Sequence, residues 1–208
     1  MSQINFHNVD CQTFMASKPD KHYKLAIVDP PYQNNDAIDI SNGNKHSAKR
    51  TKYHLFKNVA PSLEYFNELK RVSVNQIVWG GNYFGLKGGV IAWNKNGTAF
   101  GEGEVAICST HNSVVFYEYT WNGMIQQNMK CKEIRIHPTQ KPVDLYRWIL
   151  KRYAKPSDNI LDTHGGSMSS AIACDMEGYD LDICEIDKEY FDAGVKRFQN
   201  YKQQLTIF

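Results

Sequence analysis

The stretch 159-NILDTHGGSMSSAIACDMEGYDLDICEID-187 decides how this chain folds. Asn159 to Asp162 is a short apolar run ending in an acid, the pattern of a strand covered on both faces of an α/β sheet. Gly165 and Gly166 follow, where the backbone can approach a ligand closely, and Ser167 to Ser170 lead into a helix expected from about Ser169 to Glu177. About twenty residues beyond the first acid a second strand, "LDICEID", carries Glu185, placed to accept hydrogen bonds from ribose hydroxyls. Strand, glycine-rich turn, helix and strand make one βαβ unit with the grammar of a nucleotide-type crevice. The glycine spacing is not GxGxxG, which disfavours a dinucleotide, and a βαβ turn without a ligand is the plain alternative.

A second strand-to-turn signal lies upstream, in 24-KLAIVDPPYQ-33. Lys24 to Val28 reads as a buried strand, and two prolines stop it because neither can donate to the sheet ladder. Asp29 and Tyr32 are then held in a stiff turn just past the sheet edge, where α/β sheets bind ligands. The plain alternative is a strand end with a solvated acid and a surface tyrosine. Between the two signals, strands and helices alternate. Ser62 to Val72 carries Leu63, Phe66 and Leu69 at helical spacing behind a Pro-Ser start. "QIVWGGNYF" reads as a strand broken by Gly80 and Gly81, followed by strands in "GVIAWNK", "VAICST" and a half-exposed "SVVFYEYT". Pro142 opens a helix that ends at Lys155-Pro156, and a last helix runs from about Lys188 to Tyr201. This alternation predicts an α/β fold with a mainly parallel central sheet and helices on both faces.

The bulk properties are those of an ordinary globular chain. Its 208 residues are 42% hydrophobic and 22% charged, with a formal charge of +2, and suit one domain with a sizeable core. No apolar run approaches the roughly 20 residues of a membrane span, and "MSQINFHNVD" has no signal-peptide core. The five cysteines form no close pair, which argues against a zinc site or a disulfide framework and for a reducing, cytoplasmic setting. Gln33 to Asn58 is a long polar stretch without periodicity, and loops of that length are usually functional or disordered.

Between the halves lies "RIHPTQKPVDLY", where His137, Thr139 and Lys141 crowd into a proline-bounded turn before a helix. A helix cap explains Thr139 and Gln140, and a lysine at such a turn also suits a carboxylate. Taken in order, "DPPY", "HPTQKP" and "DTHGGSMSS" resemble the motifs of the beta-class DNA amino-methyltransferases, most of all their short phage and prophage members. That family places its catalytic motif before its cofactor motif, and the likeness runs from about Asn5 to the C-terminus.

The resemblance implies a Rossmann-like methyltransferase fold that uses S-adenosylmethionine (AdoMet) and no metal. It implies one domain over residues 1–208: a catalytic half (1–93), a short target-recognition segment (94–136) and an AdoMet-binding half (137–208). Asp29, Pro30, Pro31 and Tyr32 then stand at the catalytic position. Asp10, Cys11 and Ile186 match contacts to the cofactor's adenine, and Glu185 matches the ribose-binding acid. Asp162, His164, Gly166, Ser167 and Ser169 match the loop around the cofactor, with Thr139 and Lys141 at its methionine end. Met168 departs from the pattern, standing where the family has a glycine, and is expected to crowd the cofactor or shift its loop.

The chemistry fits the residues. An exocyclic amine is a poor nucleophile until its N–H groups are held by acceptors such as a carboxylate and a carbonyl. The implied reaction is methylation of adenine N6 in double-stranded DNA, with the target base flipped out. "DPPY" in place of the "SPPY" usual for cytosine-N4 enzymes favours adenine. Cytosine N4, and a catalytically weak nucleic-acid-binding domain of the same fold, are the alternatives. Lys45, Lys49, Arg50, Lys52, Tyr53 and Lys57 interleave cations with an aromatic directly after the catalytic turn and are the expected DNA contacts. The 94–136 segment is short for a recognition domain, so selectivity is left to a homodimer, to the 33–58 loop or to a relaxed target. A restriction-modification role is one setting for such an enzyme, although the chain shows no nuclease.

Overall fold

The computed structural model describes residues 2–32, 59–97, 102–122 and 125–205. Their strands are β1 (Ile4–His7), β2 (Tyr23–Val28), β3 (Ser73–Trp79), β4 (Gly89–Asn94), β5 (Gly103–Cys108), β6 (Val114–Glu118), β7 (Asn159–Asp162) and β8 (Asp180–Cys184). They form one sheet in the order β1-β8-β7-β2-β3-β5-β4-β6. Neighbours are parallel throughout except that β5 runs against both β3 and β4. The helices are α1 (Cys11–Ala16), α2 (Leu63–Val72), α3 (Val143–Tyr153), α4 (Ser169–Glu177) and α5 (Lys188–Leu205), with a short 3-10 turn at Gly81–Phe84. No helix among the described residues is long and apolar enough to cross a membrane.

Strand alternation divides the core into two layers. Leu25, Ile27, Ile77, Trp79, Ile160 and Ile183 face one way and pack with α3 and α4. Ala26, Val28, Val78, Leu161 and Cys184 face the other way, under α1 and α2. Both faces of the central strands are therefore covered, as their near-continuous apolar character predicts.

The topology fixes where a ligand can enter. From β2 the chain crosses to β3 on one side, and from β7 it crosses to β8 on the other, while β2 and β7 are themselves neighbours. Connections leaving adjacent strands in opposite directions open a crevice at the strands' carboxyl ends. Asp29 follows β2 and Thr163 follows β7 at that point.

The structure corrects the sequence reading at Leu63 and adds detail elsewhere. Leu63 is 71% exposed, and the buried stripe of α2 runs through Tyr65, Phe66, Leu69 and Val72 instead. β1 and α1 carry no usable periodicity, being only four and six residues long, and β1 exists through its pairing with β8. The break at Gly80 and Gly81 ends β3 outright, with the 3-10 turn taking over. The strands read in "VAICST" and "SVVFYEYT" are β5 and β6, and both belong to the central sheet.

Candidate active site

A cavity of about 910 Å³ opens at the carboxyl ends of β2, β7 and β8, in the upper part of the range for ligand pockets. Asp29, Pro30, Pro31 and Tyr32 form one wall. The Asp29 carboxylate is largely buried, and its Oδ2 accepts a 2.6 Å hydrogen bond from Lys141 Nζ. Its Oδ1 is buried with no hydrogen-bond partner among the described residues. An unsatisfied buried carboxylate oxygen is costly, and in a cavity it is an acceptor waiting for a donor.

Lys141 explains how an acid survives there. Its side chain is 3% exposed, and its ammonium also pairs with Glu104 Oε2 at 2.9 Å, above the Trp79 ring. Lys95 holds the other Glu104 oxygen. Burial opposes charge on Lys141, but Asp29 and Glu104 beside it keep its pKa well above the usual lysine range. Burial works against Glu104 as well, yet Lys141 and Lys95 hold its pKa down to about 2. For Asp29 burial prevails over Lys141, and its pKa is raised.

Tyr32 lies parallel to Tyr83, ring centroids 4.9 Å apart and planes 3° from coplanar. Gly80, at φ 65°, makes room for it: a Cβ there would sit 2.3 Å from Tyr32 Cδ1.

The other walls come from β1, β7 and β8. Glu185 accepts the Gly166 N–H at 2.7 Å on one oxygen and the Asp187 N–H at 2.9 Å on the other, which orients the carboxylate and leaves lone pairs on both oxygens. Asn8 steadies the same turn by donating to the Glu185 carbonyl at 2.8 Å. Ile186 is 69% exposed on the cavity rim, near Cys11 and Asp10, and Asp10 also caps α1 through the Thr13 N–H at 2.9 Å. Behind them runs a chain of three groups. Tyr65 Oη lies 2.6 Å from Thr163 Oγ1, which lies 2.8 Å from His164 Nδ1. The two hydroxyls and the imidazole nitrogen thus form one continuous hydrogen-bonded chain along the wall. Burial lowers the His164 pKa to about 4, so that ring is neutral at physiological pH. His137, across the cavity against Tyr190, is lowered to about 3 by burial and then by Lys141 and Arg135.

Most residues expected at the site line this one cavity: Asp10, Cys11, the 29–32 turn, Thr139, Lys141, His164, Gly166, Ser167, Glu185 and Ile186. Lys141 is committed to two carboxylates rather than projecting free at the cofactor end. Asp162 and Ser169 stand behind the wall. Asp162 is 1% exposed and holds Ser170 Oγ and the His164 N–H. Ser169 donates to the Lys141 carbonyl and accepts from Arg197, which also clamps the Ser167 carbonyl. Met168 does not crowd the cavity, because its side chain is fully buried between Gly165 and Gly194. Lys45, Lys49, Arg50, Lys52, Tyr53 and Lys57 lie outside the described residues. Glu104, Lys95, Tyr65 and Tyr146 were not singled out in the sequence, where each reads as an ordinary strand, turn or core position.

This arrangement can hold a flat ring and a diol at one end and offer a bare carboxylate oxygen to an amine at the other. Residues 2–196 match the N6/N4 family of DNA methylases. The chain belongs to that family. A 77-residue stretch is 29% identical to the type II methyltransferase M.PvuII of Proteus hauseri, covering 37% of this chain and 23% of that protein. The matched part thus spans less than a quarter of that relative's length. The crystal structure of the M1.HpyAVI–SAM complex superposes with a TM-score of 0.59 at 18% identity, covering 94% of this chain and all of that one. The PvuII DNA methyltransferase, described as cytosine-N4-specific, gives 0.62 at 14% identity, covering 95% and 87%. At such identities the likeness is one of fold, the Rossmann-like fold of AdoMet-dependent methyltransferases.

Proposed function

We propose that this DNA methylase transfers a methyl group from AdoMet to the exocyclic N6 of adenine in double-stranded DNA. The observation that carries the reading is Asp29 Oδ1, a buried acceptor with no partner among the described residues, set in the cavity beside Tyr32. The cavity fits the cofactor by the chemistry of its walls. Ile186, Cys11 and Asp10 would hold its adenine, Glu185 its ribose diol, and Gly166, Ser167 and Thr139 its methionine end. When bound, AdoMet supplies an electrophilic methyl group on a sulfonium.

The protein's own residues do the rest. Asp29 Oδ1 accepts one N–H of the target amine and the Pro30 carbonyl accepts the other, drawing the nitrogen lone pair out of conjugation with the ring. These acceptors gain strength as positive charge develops on nitrogen, so they favour the transition state over the ground state. Tyr32 stacks on the base and keeps it in line on a turn that two prolines stiffen. Asp29 need not take the proton before transfer, because the methylated ammonium is a far stronger acid than the amine. A paired base cannot reach this depth, so the target is flipped from the duplex at a cost of a few kcal/mol. The basic residues between 33 and 58, named above, are assigned to the DNA backbone by their place in the sequence directly after the catalytic turn.

Cytosine N4 is the second reading, supported by the likeness to the cytosine-N4-specific PvuII enzyme. "DPPY" supports adenine. Met168, the departure that favours a binding module without activity, is packed against Gly165 and Gly194. Tritium transfer from labelled AdoMet to unmethylated duplex DNA, followed by nucleoside digestion, separates these outcomes. Label in N6-methyladenine is expected. Label in N4-methylcytosine would overturn the choice of base, and no label at all would overturn the reaction. Asp29→Ala should lose transfer by about 10²–10³-fold, roughly the loss of one transition-state hydrogen-bonding group, while AdoMet affinity stays within about threefold.

A further inference from the structure

Asp29 is one end of a chain of four largely buried charges drawn from four parts of the fold. Lys95 follows β4, Glu104 lies on β5, Lys141 precedes α3 and Asp29 follows β2. Lys141 Nζ sits 2.6 Å from Asp29 Oδ2 and 2.9 Å from Glu104 Oε2, and Glu104 Oε1 is held in turn by Lys95. All four side chains are a quarter exposed or less. None of Lys95, Glu104 or Lys141 is needed to hold the backbone of the catalytic turn, whose prolines already do so.

We propose that Glu104 and Lys95 are positioning residues for methyl transfer, acting on Asp29 through Lys141. The two carboxylates share one ammonium, which pins Asp29 through Oδ2 and leaves Oδ1 without a hydrogen-bond partner among the described residues, available to bond the target amine. This inference rests on the reading of Asp29 as the amine's acceptor. Without Lys141 the buried carboxyl would protonate and present a donor where an acceptor is needed. With Lys141 committed to Asp29 alone, the carboxylate would be more fully neutralised and a weaker acceptor. Sharing the ammonium with Glu104 keeps Asp29 between these limits, and Lys95 holds Glu104 to its half of the arrangement.

The charge signs give a test that general damage to the fold cannot mimic. The groups facing Asp29 are Lys141, Glu104, Lys95, Tyr32, Tyr146 and Asp162. Tyr32 and Tyr146 are both held above the ordinary phenol range and stay neutral through the working pH. Asp162 is the same in every variant compared. Glu104 raises the Asp29 pKa and Lys95 lowers it. The measurement is the single-turnover rate of methyl transfer against pH, with AdoMet affinity by calorimetry alongside. In Glu104→Gln the acid limb should move to lower pH, and in Lys95→Met to higher pH, each by about half a unit or more. Both variants should lose about tenfold in plateau rate, as misplacement of a reacting group does, with AdoMet affinity within about threefold of wild type. Limbs that stay put, or that move in the same direction, would overturn the inference. If Glu104→Gln does not fold, Lys95→Met carries the sign test, and Lys95→Arg should restore the wild-type profile. Asp29→Ala in the same series separates the two levels. An active Asp29→Ala would overturn the functional reading itself. An inactive one beside unaltered Glu104 and Lys95 variants would overturn only the positioning role.

Discussion

Tyr32 owes its position to a residue with no side chain. Gly80 closes β3 in the left-handed region, and the Tyr32 ring lies where a Cβ on residue 80 would be. Gly80→Ala therefore combines a backbone cost of about 1–2 kcal/mol with displacement of the ring. Transfer should fall at least tenfold and more than in Tyr83→Ala, because Tyr83, 61% exposed, only backs the stack. Calorimetry should find AdoMet binding nearly unchanged in both. A Gly80→Ala enzyme with wild-type rate would show that the ring's position is immaterial. Tyr32→Phe should keep most of the activity and Tyr32→Ala should not, since stacking survives in phenylalanine. Equal losses would assign the effect to the hydroxyl. At this scale Asp29 and Tyr32 were legible in "DPPY", because two prolines in a strand must mean something. Gly80 was legible only as a strand breaker. Glu104 was not legible at all, because only the reversed strand β5, paired between β3 and β4, brings it to Lys141.

The entry to α4 shows how an element absorbs a departure from pattern. Met168 takes the N-cap position with φ 59°, a conformation that costs a residue with a Cβ about 1–2 kcal/mol. Its side chain fills the space that Gly165 and Gly194 leave open; a Cβ on Gly194 would meet Met168 Cγ at 2.4 Å. Packing outweighs strain here, because truncating a fully buried methionine costs about 2–5 kcal/mol. Met168→Ala should lower stability by that amount in urea denaturation. Met168→Gly should also be destabilised, even though it relieves the backbone. Neither should change AdoMet affinity by more than about threefold, and a tighter-binding Met168→Gly would mean that the side chain reaches the cavity after all. The βαβ unit around Met168 was readable to the residue for α4, since its strand ends, glycines and helix start all agree. The direction of the Met168 side chain was not readable, because it depends on Gly194 of a helix that packs only in the folded chain. β1 and the orientation of Leu63 escaped for the same reason: both are decided by partners distant in sequence.

For the molecule as a whole, burial around the crevice sets several ionisations against one another. Asp162 is pushed up to about 7 by burial, so its share of stability is present below about pH 4, its unfolded value, and is lost as pH rises toward 7. His137 and His164, lowered to about 3 and 4 by burial, act in the opposite sense: their share is present above about 6.5 and is lost as pH falls. Away from the cavity, burial pushes Asp182 up, but hydrogen bonds from Tyr23, His7 and Asn5 more than offset it, holding it at about 2. Asp182 thereby ties β1, β2 and β8 together, and its share is lost only as pH falls from about 4 to 2. Urea midpoints measured from pH 3 to 8 should separate these contributions by sign. Relative to wild type, Asp162→Asn should gain stability as pH rises from 4 to 7. His164→Gln should gain as pH falls over the same range, and Asp182→Asn should recover only below about 4. Matching slopes for Asp162→Asn and His164→Gln would mean that the crevice is wetter than its burial implies. Opposite slopes would show that the burial which raises Asp29 is borne by a scaffold whose neighbouring acid and imidazole respond to pH in opposite senses.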